Sequence, residues 1–387
     1  MKRKENRHYP RFFEALLSSR LRESAPLIQT VLGPRQVGKT SGVLNVLESH
    51  FLERDYEYHS CEEGIHDSDW FLQAAQNSFV AKKKILVFDE IQKIPNWSEL
   101  VKLIWDQQKR KRIPLKLVLL GSSSLRLSQG LSESLAGRFE VIPAHHWSYV
   151  ESQKAYGLEF GEYLDKGGYP GSYGLINEES RFRKYMMDSI FESVIAKDIL
   201  RYSVVKKPAL FRQTFMLACQ YPAQEISYNK LLGQLQEAGN VDQIKHYLDL
   251  FAQAFLIRLI YKWTKSPLSR TSSPKLLPCA PVFTRLFLKR ELSIEEKGRV
   301  FESVVGNRLC EAFEDVHFWR EGNEEVDFVV ETGSALFAIE VKSKKRKTSG
   351  IAAFRKLQKG ARVCYIDMEN YLEFEKDPLG FLNEYSI

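Results

Sequence analysis

GPRQVGKT, Gly33–Thr40, is the stretch that decides the fold of the first part of the chain. It satisfies the pattern GxxxxGK(S/T), in which glycines let backbone N–H groups wrap phosphates, the lysine neutralises phosphate oxygens and the hydroxyl ligates Mg²⁺. An apolar stretch at 25–31 precedes it, and the helical pattern SGVLNVLESHFLE follows it. A strand, a glycine-rich loop and a helix in this order predict a nucleotide site. The residues expected to contact phosphate are Gly33, Pro34, Arg35, Gln36, Val37, Gly38, Lys39, Thr40 and Ser41.

The stretch KKKILVFDE supplies the carboxylates that such a site needs. Its apolar run 85–88 is typical of a strand buried on both faces of a parallel sheet, and Asp89 and Glu90 follow at its end. We expect Asp89 to hold the Mg²⁺ ion together with Thr40, and Glu90 to polarise the attacking water as general base. A base at Glu90 favours hydrolysis over nucleotide binding alone.

Two further positions are candidates for the same site. LVLLGSSS ends the next strand with hydroxyl groups, so Ser122, with Ser123 close behind, can sense the γ-phosphate or orient the water. A serine-rich turn that satisfies its own backbone explains these residues equally well. Arg138, in SLAGRFE, can stabilise the transferring phosphoryl group, within one chain or from a neighbouring subunit. A surface salt bridge is the alternative role for Arg138.

The alternation of strands and helices predicts an α/β fold, a P-loop parallel sheet covered by helices on both sides. After Pro143 this alternation stops, and a mainly helical stretch follows. We therefore expect four parts: an ATPase core at 1–146, a helical lid and connector at 147–221, a winged-helix-like module with linker at 222–292, and a small α/β domain at 293–387.

The third of these parts rests on a weaker pattern. Two amphipathic stretches, SYNKLLGQLQEAG and VDQIKHYLDLFAQAFL, are separated by a turn and followed by the β-branched and aromatic IRLIYKW. Helix, turn, helix and a hairpin-like wing predict a winged-helix module, and an ordinary helical hairpin is the alternative. The proline- and serine-rich segment 266–281 predicts a surface linker.

Carboxylates recur in the last part, in EVDFVVETGSALFAIEVKSKK. Asp327 lies on one predicted strand, and Glu340 and Lys342 lie two residues apart on the next, so these two share a face. Two carboxylates can bind Mg²⁺ while the lysine stabilises developing charge. This resembles the PD-(D/E)xK nuclease core, in which Glu302 on the preceding helix matches the additional acid. Binding without cutting is the alternative for this fold.

Positive charge follows directly after this pattern. Between Lys342 and Arg362 there are nine basic residues and no acid, which suits a phosphate backbone, with DNA preferred to RNA. The alternative is a solvated edge hairpin whose charges prevent sheet-to-sheet pairing. His145 and His146 have no third ligand at metal spacing, so they predict a packed connector and no zinc site.

Composition sets outer limits on function. The 387 residues carry a net charge of +7, which permits nucleic-acid contact without requiring it, and 44% apolar residues exclude wholesale disorder. Five scattered cysteines without a CxxC pair exclude a disulfide framework and suit a cytoplasmic protein. The sequence has no pattern of a secretory signal and no run of about 18 apolar residues, so no membrane partner is expected.

Together these motifs and the later GGYPG resemble the bacterial and archaeal AAA-type ATPases that carry a conserved C-terminal domain of unknown function. The resemblance implies that Gly33–Thr40 is the Walker A loop, that Asp89 and Glu90 are the Walker B pair, and that serines 122–124 are sensor 1. It also implies ATP as the nucleotide. Two departures are the lack of an acid in 274–287 and Ser41 in place of a second threonine.

Three functions follow as hypotheses. The first is a Mg²⁺-dependent ATPase that couples hydrolysis to nucleic-acid binding through its C-terminal half. The second is a metal-dependent nuclease regulated by the ATPase half. The third is a module that binds DNA or a protein partner and is switched by ATP without hydrolysis. The sequence leaves open whether the chain works as a homo-oligomer or as a monomer.

Overall fold

The computed structural model describes residues 9–25, 27–62, 64, 66–121, 134–200, 205–264, 273–333, 335–342 and 349–387. By their internal contacts the residues divide into two compact units. The first unit is Met1–His146 together with Lys184–Val204, and the second is Trp147–Arg183 together with Val205–Ile387. The segment 184–204 of the expected helical connector therefore packs with the first unit.

The first unit is built on a five-stranded sheet. Its strands are β1 (Ile28–Leu32), β2 (Tyr56–Ser60), β3 (Ile85–Asp89), β4 (Lys116–Gly121) and β5 (Phe139–Pro143). All of them run parallel, in the order β2-β3-β4-β1-β5. Because the strands are parallel, the loop after β1 and the acids that end β3 lie at the same edge of the sheet.

Helices cover both faces of this sheet, as the sequence predicted. They are α1 (Phe12–Arg22), α2 (Lys39–His50), α3 (Ser68–Val80) and α4 (Trp97–Lys111), with short 3-10 turns at Glu53–Asp55 and Ile91–Lys93. Phe13 and Leu17 of α1 pack with Val43 of α2 on one face. On the other face, Phe71 of α3 contacts Phe88 of β3, with ring centroids 4.2 Å apart.

The connector is helical, with two departures from regular α-helix. It contains α5 (Tyr149–Tyr156), α6 (Phe160–Lys166), a 3-10 segment (Pro170–Leu175) and α7 (Glu179–Tyr185). Beyond α7 the helix continues as π-helix at Met186–Phe191, one α-helical turn at Glu192–Val194, and π-helix again at Ile195–Leu200. π-Helical segments are rare and often accompany functional sites.

The second unit next forms a small three-stranded sheet with helices. The elements are α8 (Pro208–Ala218), β6 (Gln224–Glu225), α9 (Tyr228–Leu232), α10 (Val241–Gln253), β7 (Ile257–Ile260), β8 (Lys275–Pro278) and α11 (Val282–Leu288). The sheet is antiparallel in the order β6-β8-β7. The helix expected over 227–239 ends early, at Leu232, where Gly233 caps it.

The expected surface linker at 266–281 is wrong for its second half. All four residues of β8 are buried, and β8 is the central strand of the three-stranded sheet. The proline and serine content of the segment hid this strand, because Pro274 and Pro278 flank or end it and leave only three residues between them.

The C-terminal sheet is mixed and covered on both faces. Its elements are α12 (Ile294–Ala312), β9 (Asp315–Glu321), β10 (Glu324–Thr332), β11 (Ala335–Lys342), α13 (Ser349–Leu357), β12 (Arg362–Asp367), α14 (Tyr371–Lys376) and α15 (Pro378–Tyr385). The order is β12-β11-β10-β9, with β11 and β12 parallel and the other pairs antiparallel. Phe328 packs with α12, whereas Val326 and Phe354 of α13 share the opposite face.

The predicted fold class is confirmed: a parallel P-loop-type sheet with helices, followed by an additional α/β part with a mixed sheet. Within the described residues, no helix has the length and apolar content needed to cross a membrane.

Candidate nucleotide site and carboxylate cluster

The loop between β1 and α2 has a shape that requires glycine at two positions. At Gly33, a Cβ atom would lie 1.9 Å from the carbonyl oxygen of Ala144, so the backbone packs directly against the segment that follows β5. Gly38 precedes α2 with a φ of 89°, in the left-handed region that glycine adopts without strain. The loop thus leads into the N-terminus of α2, where unpaired N–H groups and the helix dipole favour an anion.

The Lys39 ammonium is folded back into this loop. Its Nζ donates to the carbonyl oxygens of Gly33 at 3.0 Å and Pro34 at 2.6 Å, and the residue is 6% exposed. A negatively charged phosphate oxygen adds Coulombic attraction to a hydrogen bond from the ammonium, which a neutral carbonyl oxygen does not. A bound phosphate is therefore a better partner for this ammonium than the two carbonyl oxygens.

Asp89 joins three elements at the carboxyl end of β3. Its Oδ2 accepts from the hydroxyl of Thr40 at 2.5 Å and from the hydroxyl of Tyr58 at 2.7 Å. Its Oδ1 accepts from the backbone N–H of Glu90 at 2.8 Å, and the residue is buried. Thr40 and Asp89 thus bring together hard oxygen ligands of the kind that Mg²⁺ prefers.

Glu90 leaves the strand through an unusual backbone conformation. Its φ is 53°, in the left-handed region that residues with a Cβ rarely adopt, and such strain concentrates at functional sites. Its Oε2 accepts from Nε2 of the buried Gln92 at 2.6 Å, which orients the carboxylate. The structure therefore brings Lys39, Thr40, Asp89 and Glu90 to one edge of the sheet.

A second group of acids lies in the C-terminal sheet. The register between β9 and β10 shifts between Val326 and Val329, so a bulge surrounds Asp327. Bulges commonly redirect a side chain. Oδ2 of Asp327 accepts from the backbone N–H of Val341 at 2.8 Å, which places it beside Glu340 of β11. Glu302 of α12 faces the same region, so the predicted carboxylates do converge.

Sequence reasoning missed the residue at the centre of this cluster, Lys275 of β8. Its side chain has no exposed surface, and its Nζ lies 2.8 Å from Oε1 of Glu302 and 3.0 Å from Oε1 of Glu325. The same ammonium donates to the carbonyl oxygen of Asp327 at 3.2 Å. Phe318 and Phe328 flank it, with ring centroids 5.5 and 5.4 Å from Nζ.

The ionisable groups of the cluster have pKa values that differ from those of the same groups in water. Burial raises the pKa of Glu302 to about 8, although Lys275 opposes this shift, and burial and Asp327 raise the pKa of Glu340 to about 8. The pKa of Lys275 is also raised, because Glu302, Asp327 and Glu325 outweigh its burial. Lys275 therefore remains protonated and is the cation of this group.

Lys342 lies at the rim of the cluster. Its Nζ lies over the ring of Tyr365, 4.5 Å from the centroid. Burial raises the pKa of Asp327 and of Glu340, and the charge of Lys342 reduces both increases. Across the described ranges, no group of three or more His, Cys, Asp or Glu side chains is arranged to hold a metal ion. Lys275 instead supplies a positive charge within hydrogen-bond distance of Glu302 and Glu325, beside the backbone of Asp327.

Family comparisons divide the chain into three matched segments. Residues 26–164 match a family described as an AAA domain, which contains the glycine loop and the acids that end β3. Residues 26–164 are an AAA-type P-loop ATPase domain. Residues 158–279 and 297–377 match two domains of unknown function, DUF8612 and DUF4143. The predicted resemblance to AAA-type ATPases with C-terminal domains of unknown function is confirmed.

Several proteins are similar to the chain over most of its length. An uncharacterized protein of Methanocaldococcus jannaschii is 24% identical over 333 residues, covering 78% of this chain and 72% of its own. An uncharacterized protein of Mycobacterium tuberculosis is 25% identical over 343 residues, covering 84% and 73%. A solved Walker-type ATPase of Pyrococcus abyssi superposes with a TM-score of 0.48 at 16% identity, covering 73% of this chain and 99% of its own.

Arg11, at the N-terminus of α1, forms hydrogen bonds with the AAA domain, and this residue was not predicted from the sequence. The guanidinium donates to the carbonyl oxygen of Val37 in the glycine loop, and its Nη2 donates to that of His145 at 2.9 Å. Arg11 is 4% exposed, and its N–H and that of Glu14 form the cap of α1. No local pattern marks Arg11, because its partners are 26 and 134 residues away in sequence.

Replacing Arg11 by methionine should weaken ATP binding about ten-fold, because one charged hydrogen bond contributes roughly 1.5–3 kcal/mol and here it fixes the loop backbone. Titration with a fluorescent ATP analogue measures the change. Arg22→Met on the exposed side of the same helix is the control. Equal affinities for wild type and Arg11→Met would contradict a positioning role.

The glycine loop of the AAA domain also contacts the π-helical segment. The hydroxyl of Tyr185 donates to Oε1 of Gln36 at 3.0 Å, and Nε2 of Gln36 donates to the carbonyl oxygen of Ser189 at 3.2 Å. Gln36 has a φ of 60°, so its side chain leaves the loop at an unusual angle. The π-helical segment is thus held at the rim of the phosphate loop.

One predicted site residue, Arg138, is not brought to the phosphate loop. Arg138 precedes β5, and its carbonyl oxygen accepts from the N–H of Ile28 at the amino end of β1. It therefore lies at the sheet edge opposite the loop of its own chain. Ser122 and Ser123 lie outside the described residues. A role of Arg138 in hydrolysis requires a neighbouring chain.

Outside the AAA domain, Glu375 of α14 is fully buried. Its two carboxylate oxygens each accept from the backbone N–H of Val150, at 3.2 Å, at the N-terminus of α5. Burial raises the pKa of Glu375 to about 7, against the hydrogen bonds of Ser148 and Val150. A carboxyl whose folded pKa exceeds its unfolded value loses stabilising free energy as the pH rises between the two values.

Glu375→Gln should therefore become more stable relative to wild type as the pH rises from about 5 to about 8, by roughly 2 kcal/mol, because glutamine keeps the acceptor without the buried charge. Urea unfolding at both pH values measures the difference. The exposed Glu384→Gln is the control and should show no such trend. A difference independent of pH would contradict the raised pKa.

Proposed function

We propose that the protein is a Mg²⁺-dependent ATPase that couples hydrolysis to nucleic-acid binding through its C-terminal half. The observation that carries the proposal is the convergence of Lys39, Thr40, Asp89 and Glu90 at one edge of the parallel sheet. A lysine for the phosphates, two oxygen ligands for a metal and an acid that can act as general base are what phosphoryl transfer to water needs.

Each residue has a separate task in this proposal. The N-terminus of α2 and the Lys39 ammonium bind the β- and γ-phosphates, with Gly33–Ser41 enclosing them. Thr40 and Asp89 would hold Mg²⁺, which neutralises charge on the phosphates when bound. Glu90 orients the attacking water and accepts its proton, and Gln92 keeps the carboxylate directed.

The second unit supports nucleic-acid binding through its arrangement and its charge. The elements from α8 to β8 have the order expected of a winged-helix module: a helix, a strand, two helices and two strands. The last strand, β8, lies in the middle of the sheet. The exposed face of α10 carries Asp242 and Asp249, which repel phosphates. We therefore assign the phosphate contacts to the exposed basic residues at the end of α13 and after it, Arg355, Lys356, Lys359 and Arg362.

Phosphate release from ATP with Mg²⁺, measured without polymer, with DNA and with RNA, tests this function. We expect release that DNA stimulates more than RNA does, and none above background in Glu90→Gln. A variant with Arg355, Lys356 and Lys359 changed to glutamine should keep basal release and lose the stimulation. Release unaffected by either polymer would contradict the coupling and favour a protein partner, and ATP binding without release would favour the non-hydrolytic switch.

Subunit cooperation is testable because Arg138 lies away from the phosphate loop of its own chain. If Arg138 completes a neighbour's site, Arg138→Ala and Glu90→Gln are each inactive but mixing them restores phosphate release, since one chain supplies the arginine and the other an intact Glu90. The control is Glu90→Gln mixed with Lys39→Ala, which leaves no intact site. Full activity of Arg138→Ala alone would exclude the arginine from hydrolysis.

A further inference from the structure

The carboxylate cluster of the C-terminal sheet already contains a cation. Lys275 places its ammonium between Glu302 and Glu325 and against the backbone of Asp327, at distances between 2.8 and 3.2 Å. In the nuclease fold that the sequence resembles, the acids of this region would bind a divalent metal. Here Glu302, Glu325 and the backbone carbonyl of Asp327 surround an amino group with no exposed surface.

The second observation concerns where the lysine comes from. Lys275 begins β8, the central strand of the three-stranded sheet, whereas Glu302, Glu325 and Asp327 belong to α12 and β10. Arg320 of β9 repeats this link, since its guanidinium contacts Glu325 and donates to Glu225 of β6 at 3.1 Å. Lys275 and Glu225 of the three-stranded sheet thus each pair with an oppositely charged side chain of the C-terminal sheet, Glu325 and Arg320 respectively.

Backbone contacts run in parallel with this ionic network. The N–H of Trp263, just after β7, donates to the carbonyl oxygen of Phe318 in β9 at 2.6 Å. The N–H of Phe318 donates in turn to the carbonyl oxygen of Tyr261 at 3.3 Å. The three-stranded sheet and the C-terminal sheet are therefore joined along their edges as well as through Lys275.

We infer that Lys275 is the resident cation of this cluster, and that the cluster joins the two sheets instead of binding a catalytic divalent metal. An ammonium at 2.8–3.0 Å from two carboxylate oxygens satisfies them as a metal would, and the strand that carries it, β8, is buried at all four residues. A divalent ion added beside it would meet the repulsion of a buried positive charge.

Removing the ammonium should expose the metal-binding capacity of the acids. Among the described residues, Oε2 of Glu340 is buried without a hydrogen-bond partner, so it is one oxygen available to a metal once Lys275 is gone. Methionine replaces lysine at similar volume without a charge. In Lys275→Met the acids Glu302 and Glu325 would lose their cation beside Asp327 and Glu340, and Mn²⁺ can neutralise the remaining negative charge.

Titration of Mn²⁺ into the full-length chain, followed by calorimetry and by the melting temperature, tests the inference. We expect wild type and Asp327→Asn to bind Mn²⁺ identically. Mn²⁺ bound at the ATP site contributes equally to both titrations, so it does not affect the comparison. We expect Lys275→Met to bind Mn²⁺ at least about ten-fold more tightly than wild type, and the double variant Lys275→Met with Glu340→Gln to lose the gain.

Two results would overturn the inference. Mn²⁺ binding by wild type that Asp327→Asn or Glu340→Gln abolishes would show a metal site beside the lysine. A folded Lys275→Met without added Mn²⁺ affinity would show that the ammonium does not stand in the place of a metal. The wild-type comparison needs no Lys275 variant, so it decides the question even if Lys275→Met does not fold.

Discussion

Glu90→Gln is expected to abolish ATP hydrolysis, lowering phosphate release by about 10²–10⁴-fold, which is the usual contribution of a positioned general base. Glutamine keeps the size of the side chain and can still contact Gln92, so the phosphate loop is left intact. ATP affinity should therefore remain at the wild-type level, and the variant should retain bound ATP. Single-turnover phosphate release and binding of a fluorescent ATP analogue measure the two effects separately.

Matched variants make this expectation specific. Glu99→Gln changes an exposed acid of the same domain, on α4, and should leave hydrolysis unchanged. Lys39→Ala should instead remove ATP binding, because the ammonium is the side chain that faces the phosphates. Wild-type turnover in Glu90→Gln would exclude Glu90 as the base, while the assignment of the phosphate loop would still stand on Lys39→Ala.

Lys275→Met is expected to lower the free energy of unfolding of the second unit by about 3–5 kcal/mol, the cost of leaving buried charges without their partner. Glu302 and Glu325 would lose the cation that lies 2.8 and 3.0 Å from them. Adding Glu302→Gln removes a buried ionisable carboxyl group that has lost its partner, so the double variant should be more stable than Lys275→Met alone. Urea unfolding, read by tryptophan fluorescence, provides the free energies.

An exposed ion pair in the same unit provides a reference for the free-energy cost of Lys275→Met. Lys297, whose side chain is 38% exposed, lies 3.3 Å from Asp165. Because water screens such pairs, Lys297→Met should cost less than about 1 kcal/mol. If Lys275→Met cost no more than Lys297→Met, the network would not hold the two sheets together.

Much of the first unit was predictable because its signals are local. The strand 85–88 and the helix 97–111 follow from an apolar run and a helical period, and the structure has β3 and α4 there. β2 and β5 were missed, since YEYHS is half-buried throughout and FEVIP has one buried residue, so neither shows the pattern of a buried strand. α1 was also missed, although Phe13, Leu17 and Leu21 recur at helical spacing along it.

The sites divide in the same way. Lys39, Thr40 and Asp89 are identified by spacing, because the glycine loop and the strand end force them together in any sheet of this order. Arg11 and Lys275 were not predictable, since each acts on partners brought near by tertiary folding alone. Lys275 was further concealed by the prolines beside it, which are typical of loops, although here they flank a buried strand.

The segment Lys184–Val204 makes the chain cross between the two units three times, after His146, after Arg183 and after Val204. A single cut by a protease at any one of these points therefore leaves the units covalently connected. A fragment ending at His146 would contain the whole phosphate loop but would lack Tyr185 and Ser189, the two partners of Gln36. A recombinant ATPase half is better made by splicing 184–204 onto residues 1–146 through a short linker than by simple truncation.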